Sequence, residues 1–152
     1  MKIATLVVFV FVAIQTYAHE TNYQKNLKLA SELLFAESEF ADRILLRLVP
    51  DNYEEFDIFY GTTHSSSKKR NTGFFHPVTQ QIFDRYIVEK KEAFYSPSIQ
   101  LASLADGGFG EPLVENLLII ITLDKNKFCE SIKGKEFANH NPTKYPEQTS
   151  CK

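Results

Sequence analysis

Apolar residues recur at helical spacing from residue 24 to residue 49, and this pattern constrains the fold more than any other feature of the chain. At about 100° per residue they share one side of a helix, and charged residues occupy the other. Pro50 ends the pattern, because the residue before a proline avoids the α conformation. The segment therefore predicts a long amphipathic helix that needs partners. Its apolar residues are Leu27, Ala30, Leu33, Leu34, Phe40, Ala41, Ile44, Leu45 and Leu48.

Proline and glycine divide the rest of the chain into four further predicted helices. The first is short: Asp51 is its expected N-cap, Glu54 completes a capping box, and Gly61 stops it. Pro77 suits the first turn of the next helix, which we expect to reach Tyr95. The last two predicted helices span residues 96–104 and 112–132.

The run from Leu117 to Leu123 is almost continuously apolar. A helix that is apolar all round belongs in the middle of a bundle. A buried strand is the alternative, since the isoleucines permit it. The start at Pro112, the stop at Gly134 and the missing hairpin signal favour the helix. The expected fold is therefore all-α, a compact bundle of about five helices around a central apolar C-terminal helix.

The first eighteen residues have the pattern of a secretory signal peptide. Lys2 is followed by an apolar run that ends at Ile14, and Thr16 and Ala18 are small residues at the positions that a signal peptidase reads. The run is shorter than the about 20 apolar residues of a spanning helix. We therefore expect an exported protein, periplasmic or secreted, with no membrane span. The expected parts are a signal peptide (1–18), a helical domain (19–134) and an irregular tail (135–152).

The composition bounds the partners that the chain can have. Without residues 1–18, the 152-residue chain keeps 134 residues, with 16 Lys and Arg against 19 Asp and Glu. This formal charge of −3 is not the basic footprint of a nucleic-acid-binding protein. Over the whole chain there are thirteen Phe and seven Tyr, which supply enough apolar mass for the core of one domain.

Cys129 and Cys151 are the two cysteines of the chain. In an exported protein an even pair is most simply a disulfide. The alternative is two unrelated thiols. The disulfide would tie the tail to the last predicted helix, and a loop of this size stabilises a fold by about 3 kcal/mol in the chain-entropy model.

Glu37 lies near the centre of the apolar side of the first predicted helix. A carboxylate in that position must pair, protonate or face an opening. One hypothesis makes it a general acid of raised pKa, as in glycoside hydrolases. Such an enzyme needs a second carboxylate, and the sequence singles none out. The alternative is a buried acid that is paired by another helix.

No pattern in the chain predicts a metal or a cofactor. A metal site needs three or four ligands at fixed spacing, and the histidines form no helical pair. The glycine-rich segment 107–110 lacks the Lys-Ser/Thr of a P-loop, so we interpret it as a turn between helices. The four histidines are His19, His64, His76 and His140.

Two charged segments are candidates for binding a partner. The first is acidic and surrounds the short second helix, and the second is basic and lies in the polar loop of residues 62–73. Complementary charge of this kind speeds association and selects partners. The alternatives are a solvated helix start, stabilised by the helix dipole, and a solvated linker. The candidate residues are Asp51, Glu54, Glu55, Asp57, Lys68, Lys69 and Arg70.

Residues 48–61, 74–77 and 82–87 resemble uncharacterised secreted all-helical proteins of Gram-negative bacteria. Some small exported helical proteins of this kind are immunity proteins, and the resemblance implies the same role here. Together with the missing catalytic set, it predicts an exported, non-enzymatic protein-binding module, and the resemblance implies that the module neutralises an antibacterial effector. One alternative is a carrier of a small apolar ligand. A second is a hydrolase that uses Glu37.

Overall fold

The computed structural model of the protein describes residues 21–33, 40–63, 74–104, 110–134 and 151. Within these ranges the chain is a compact all-α bundle with no strand, as the sequence predicts. Seven α-helices and one 3₁₀ turn, Glu92–Phe94, make up the described fold. The helices are α1 (Asn22–Leu33), α2 (Asp42–Leu48), α3 (Tyr53–Thr63), α4 (Phe75–Ile87), α5 (Tyr95–Ser103), α6 (Gly110–Leu123) and α7 (Lys125–Ile132).

The middle of the described bundle is α4, and not the C-terminal helix that the sequence predicts. It packs against α2, α3, α5 and α6. Phenylalanines fill the space between α3 and α4, where the rings of Phe59 and Phe75 lie 4.9 Å apart. Such ring pairs add about 0.5–1.5 kcal/mol beyond the apolar area they bury. The buried side of α4 carries Phe75, Val78, Thr79, Ile82, Phe83, Arg85 and Tyr86.

The predicted helix over residues 24–49 is divided into α1 and α2, which explains part of the difference between five helices and seven. Ala41 is extended, with φ −62° and ψ 143°. The backbone of Phe40 is held from outside, because its N–H donates to Gln81 Oε1 at 2.9 Å and its carbonyl accepts from Arg85 Nη2 at 3.0 Å. Both partners lie on α4, so tertiary contacts override the local helical pattern.

The predicted helix from Pro77 to Tyr95 ends early, at Ile87. Lys90 adopts a left-handed backbone with φ 58°, a conformation that ends a helix. The N–H of Lys91 then donates to the carbonyl of Arg85 at 2.8 Å. The chain continues through the 3₁₀ turn into α5.

The last predicted helix is divided at Asp124. The side chain of Asp124 accepts a hydrogen bond from the N–H of Lys127 at 2.9 Å and so caps α7. The predicted stop is confirmed, since α7 ends at Ile132 and Gly134 has φ 73°. Gly61, in contrast, lies inside α3 and does not end it.

The run from Leu117 to Leu123 is helical, but α6 is covered on one side only. Leu113, Leu117 and Ile120 are buried against the bundle. Leu118 and Ile119, on the other side, keep 47 % and 45 % of their surface exposed. No helix in the described part of the chain is long and apolar enough to cross a membrane.

The predicted disulfide is present. Cys129 on α7 is bonded to Cys151, 22 residues later, and their Cα atoms lie 5.4 Å apart. Both cysteines pack against the hydrophobic core. The bond therefore fixes a point near the C-terminus on the last helix, while residues 135–150 lie outside the described ranges.

Candidate functional site

The acidic candidates surround the start of α3, but their cap is one residue later than predicted. Asn52, and not Asp51, caps the helix: its Oδ1 accepts from the N–H of Glu55 at 3.0 Å. Glu55, and not Glu54, reaches back, and its Oε2 accepts from the N–H of Asp51 at 2.8 Å. This reciprocal pair fixes the chain before α3 and occupies the Glu55 carboxylate.

Asp51, Glu54 and Asp57 remain as the outward carboxylates of this cluster. All three are exposed, and no described Lys or Arg forms an ion pair with them. A contact from α5 positions the first of them, because Gln100 Nε2 donates to the Pro50 carbonyl at 2.7 Å. The arrangement presents fixed negative charge on a rigid helix start.

Several predicted candidates lie outside the described residues. These include the buried polar candidate Glu37 and all three basic residues of the polar loop, Lys68, Lys69 and Arg70. Of the four histidines, only His76 is described, and it is exposed on the first turn of α4. Among the described residues no group of three or more His, Cys, Asp or Glu is placed to hold a metal ion.

Three of the exposed large apolar side chains of the described residues lie together on the outward face of α6. Leu118, Ile119 and Leu123 are exposed by 45 to 47 % and lie within two turns of each other. Contiguous apolar patches on a protein surface are typical of contact sites for proteins or ligands. Glu115 and Glu111 lie on the same side, one and two turns before Ile119, and are exposed as well. We call these five residues the α6 face.

Arg85 organises an ion network between α2 and the end of α4. Its Nε lies 2.9 Å from Asp42 Oδ1, and it also pairs with Glu89. Lys91 joins the same acids, with Nζ 2.8 Å from Asp42 Oδ2 and 2.9 Å from Glu89 Oε2. The Lys91 and Arg85 hydrogen bonds hold the pKa of Glu89 below its ordinary value. This network stabilises the first residue of α2, and both carboxylate oxygens of Asp42 are paired with a cation.

Lys127 forms a second cluster, between α7 and the start of α5. Its Nζ lies 4.1 Å from the centre of the Tyr95 ring and 5.2 Å from that of Tyr86, and it pairs with Glu92. The Tyr95 hydroxyl donates a hydrogen bond to Ser131 Oγ at 3.2 Å. Cation–π contacts of this kind contribute about 0.5–2 kcal/mol. The cluster joins four elements: α4 through Tyr86, the 3₁₀ turn through Glu92, α5 through Tyr95, and α7.

The directions of the pKa shifts describe the chemistry of these groups. Burial raises the pKa values of Tyr23 and Tyr95, so both hydroxyls stay protonated near neutral pH. Hydrogen bonds to Asp42 and Glu92 raise the pKa values of Lys91 and Lys127, respectively. General acids and bases work best with a pKa near the operating pH. Each of these shifts, and that of Glu89, moves a pKa away from neutrality.

Sequence reasoning missed Arg85 and Lys127, although one signal was present. Arg85 follows Val78 by seven residues and Ile82 by three, so it falls on the buried side of α4. Like Glu37, Arg85 is a charged residue on the apolar side of a predicted helix, and such a charge must be paired. Lys127 carries no such signal, because its partners Tyr86, Glu92 and Tyr95 are distant in sequence.

No protein-family model, curated protein or solved structure was found to match the chain.

Proposed function

We propose that the chain is an exported, non-enzymatic protein-binding module whose α6 face contacts the partner. The exposure of Leu118, Ile119 and Leu123 on one anchored helix carries the proposal. The core of a protein interface is enriched in apolar side chains and surrounded by a polar rim. Glu111 and Glu115 supply such a rim on one side. The finer proposal is an immunity protein, which neutralises an antibacterial effector by covering part of its surface.

The protonation states of the described polar groups at neutral pH support a binding role over a catalytic one. Tyr23 and Tyr95 are held as hydrogen-bond donors, and Lys91, Lys127 and Glu89 are held in their charged forms. Each has a partner that explains its position in the fold. Groups whose protonation state and partners are fixed in this way hold the helices in place. A rigid scaffold of this kind presents a binding surface in one conformation.

Export is part of the proposal, and the Cys129–Cys151 disulfide supports it, because disulfides persist in oxidising compartments. Processing after Ala18 would leave His19 at the N-terminus of the mature protein. Intact-mass measurement of the protein recovered from the organism that encodes it tests this directly. A mass that includes residues 1–18 would contradict export by a cleaved signal peptide.

The groove between α1 and α2 gives little support to the alternative of a ligand carrier. It encloses about 50 Å³, whereas pockets that bury a drug-sized ligand measure about 300–1,000 Å³. A carrier would release its ligand on denaturation. Native mass spectrometry of the purified protein showing a bound small molecule would favour the carrier over the binding module.

Capture of a partner from the exported fraction tests the proposal when a face variant is used beside the native protein. Leu118→Lys with Ile119→Lys should lose the partner but keep the fold, since both side chains are half exposed. Lys125→Glu with Lys133→Glu, at the start of α7 and just after its end, is the control and should retain it. For an immunity protein, the captured effector should also be harmless to cells that make the native chain and toxic to cells that make the face variant.

A further inference from the structure

A groove between α1 and α2 has the features of a second binding site. Ala30 and Leu48 are buried at its base, Ile44 is half-buried, and Leu29 is exposed at its edge. Its volume of about 50 Å³ is suited to one apolar group, and its remaining lining residues are Asn26 and Arg47. The concave apolar base is held in place by Tyr23, whose hydroxyl donates to the Leu48 carbonyl at 2.9 Å.

Positively charged side chains lie at both edges of this groove. Arg47 lines it, and Arg43 lies one turn earlier on the same side of α2. Lys25 lies one turn before Leu29 on α1. All three are exposed, and no described acid forms an ion pair with any of them. The acid nearest in sequence, Asp42, is already held by Arg85 and Lys91.

We propose that this groove binds an acidic amphipathic peptide segment of a partner protein. One apolar side chain of the segment enters the groove, and its flanking carboxylates pair with Arg43 and Arg47. Charge complementarity selects this occupant, because guanidinium groups bind carboxylates in a bidentate geometry. The volume selects a single side chain over a lipid chain, which requires a longer cavity.

This site is separate from the α6 face, and it does not depend on the function proposed for that face. The groove is built from α1 and α2, and α6 packs against α4, α5 and α7. A segment in the groove would meet positive charge, whereas a partner on the α6 face would meet Glu111 and Glu115. The two surfaces therefore select ligands of opposite charge.

Selection from a display library of random short peptides on the immobilised protein tests the proposal. The selected peptides should be enriched in Asp and Glu around one large apolar residue. Their affinity, measured by fluorescence anisotropy, should fall roughly tenfold or more for Arg43→Gln with Arg47→Gln, since each lost charge-assisted contact weakens binding severalfold. Lys125→Gln with Lys133→Gln removes the same charge from the two ends of α7 and should leave the affinity unchanged.

A second variant tests the apolar half of the site. Leu29→Ser should weaken the same peptides, and replacing their apolar residue by serine should weaken binding to the native protein. Circular dichroism should show the same helix content for every variant. Selected peptides without acidic enrichment, or with equal affinity for the Arg43 and Arg47 variant, would overturn the proposal. So would sedimentation that shows a dimer for the native protein and a monomer for the Arg43 and Arg47 variant, because a second copy of the chain would then occupy the groove.

Discussion

Arg85 on α4 donates a hydrogen bond to the carbonyl of Phe40, 45 residues earlier in the chain, at 3.0 Å. Gln81, one turn before Arg85, accepts from the N–H of the same residue. Both backbone polar groups of Phe40 are thus satisfied by one helix, although Phe40 itself is not helical. This clamp sets where α2 begins, and therefore places the groove between α1 and α2.

Arg85→Ala should destabilise the fold by about 2–3 kcal/mol. The change leaves the buried Phe40 carbonyl without this donor and removes a cation from Asp42 and Glu89. Urea denaturation measures the free energy of unfolding. Lys133→Ala breaks only an exposed pair with Glu130 and should change stability by less than about 0.5 kcal/mol. Equal effects of the two substitutions would show that the Phe40 clamp is not structural.

The Arg85 network predicts how stability depends on pH. Hydrogen bonds from Lys91 and then Arg85 hold the folded pKa of Glu89 below its ordinary value of 4.5. The stability that Glu89 contributes is therefore complete above about pH 4.5 and is lost as the pH falls through the folded pKa. Glu89→Gln should be less stable than the native protein at pH 7, and this difference should disappear in acid. A difference that persists unchanged into acid would contradict the assignment.

The cap of α3 gives a prediction that separates neighbouring residues. Asn52→Ala should cost about 1 kcal/mol, because it removes the acceptor for the Glu55 N–H. Asp51→Ala should cost less, since its carboxylate receives only a long contact of 3.4 Å from Gln100. Thermal unfolding of the two variants compares them. The reverse order of stabilities would restore Asp51 as the cap.

The Cys129–Cys151 disulfide should contribute about 3 kcal/mol, because it closes a loop of 22 residues in the unfolded chain. Cys129→Ser with Cys151→Ser should lower the free energy of unfolding by that amount, and the urea midpoint should fall with it. Reducing the native protein with dithiothreitol should give the same midpoint as the double variant. If reduction leaves the native midpoint unchanged, the bond does not form in solution.

Local signals in the sequence predict where helices form better than they predict where a long helical segment is interrupted. Pro50 correctly predicts the end of α2, where Val49 is extended, and Gly134 correctly predicts the end of α7. The breaks near Phe40 and Lys90 depend on contacts or conformations that no helical pattern contains. The break at Asp124 does have a local signal, because aspartate is a strong N-cap. The apolar pattern on both sides of Asp124 nevertheless favoured one continuous helix.

The acidic cluster shows why the candidate site is harder to predict than the fold. Asp51 and Asn52 are both good caps, and each has a glutamate three residues later. The two capping boxes are therefore equivalent in sequence. Gln100, 50 residues away, donates to the Pro50 carbonyl and fixes the preceding turn. A contact at that separation is visible only in the folded chain.

The proposed function depends on contact between the α6 face and a protein partner. Site-specific photo-crosslinking detects this contact: a benzophenone amino acid replaces Leu118 or Ile119 in the exported protein and is irradiated in the organism that encodes the chain. We expect one discrete crosslinked protein from both positions and none from the same group at Lys125, which is exposed on α7. Crosslinks of equal yield at all three positions, or none at Leu118 and Ile119, would rule out a specific contact at the α6 face.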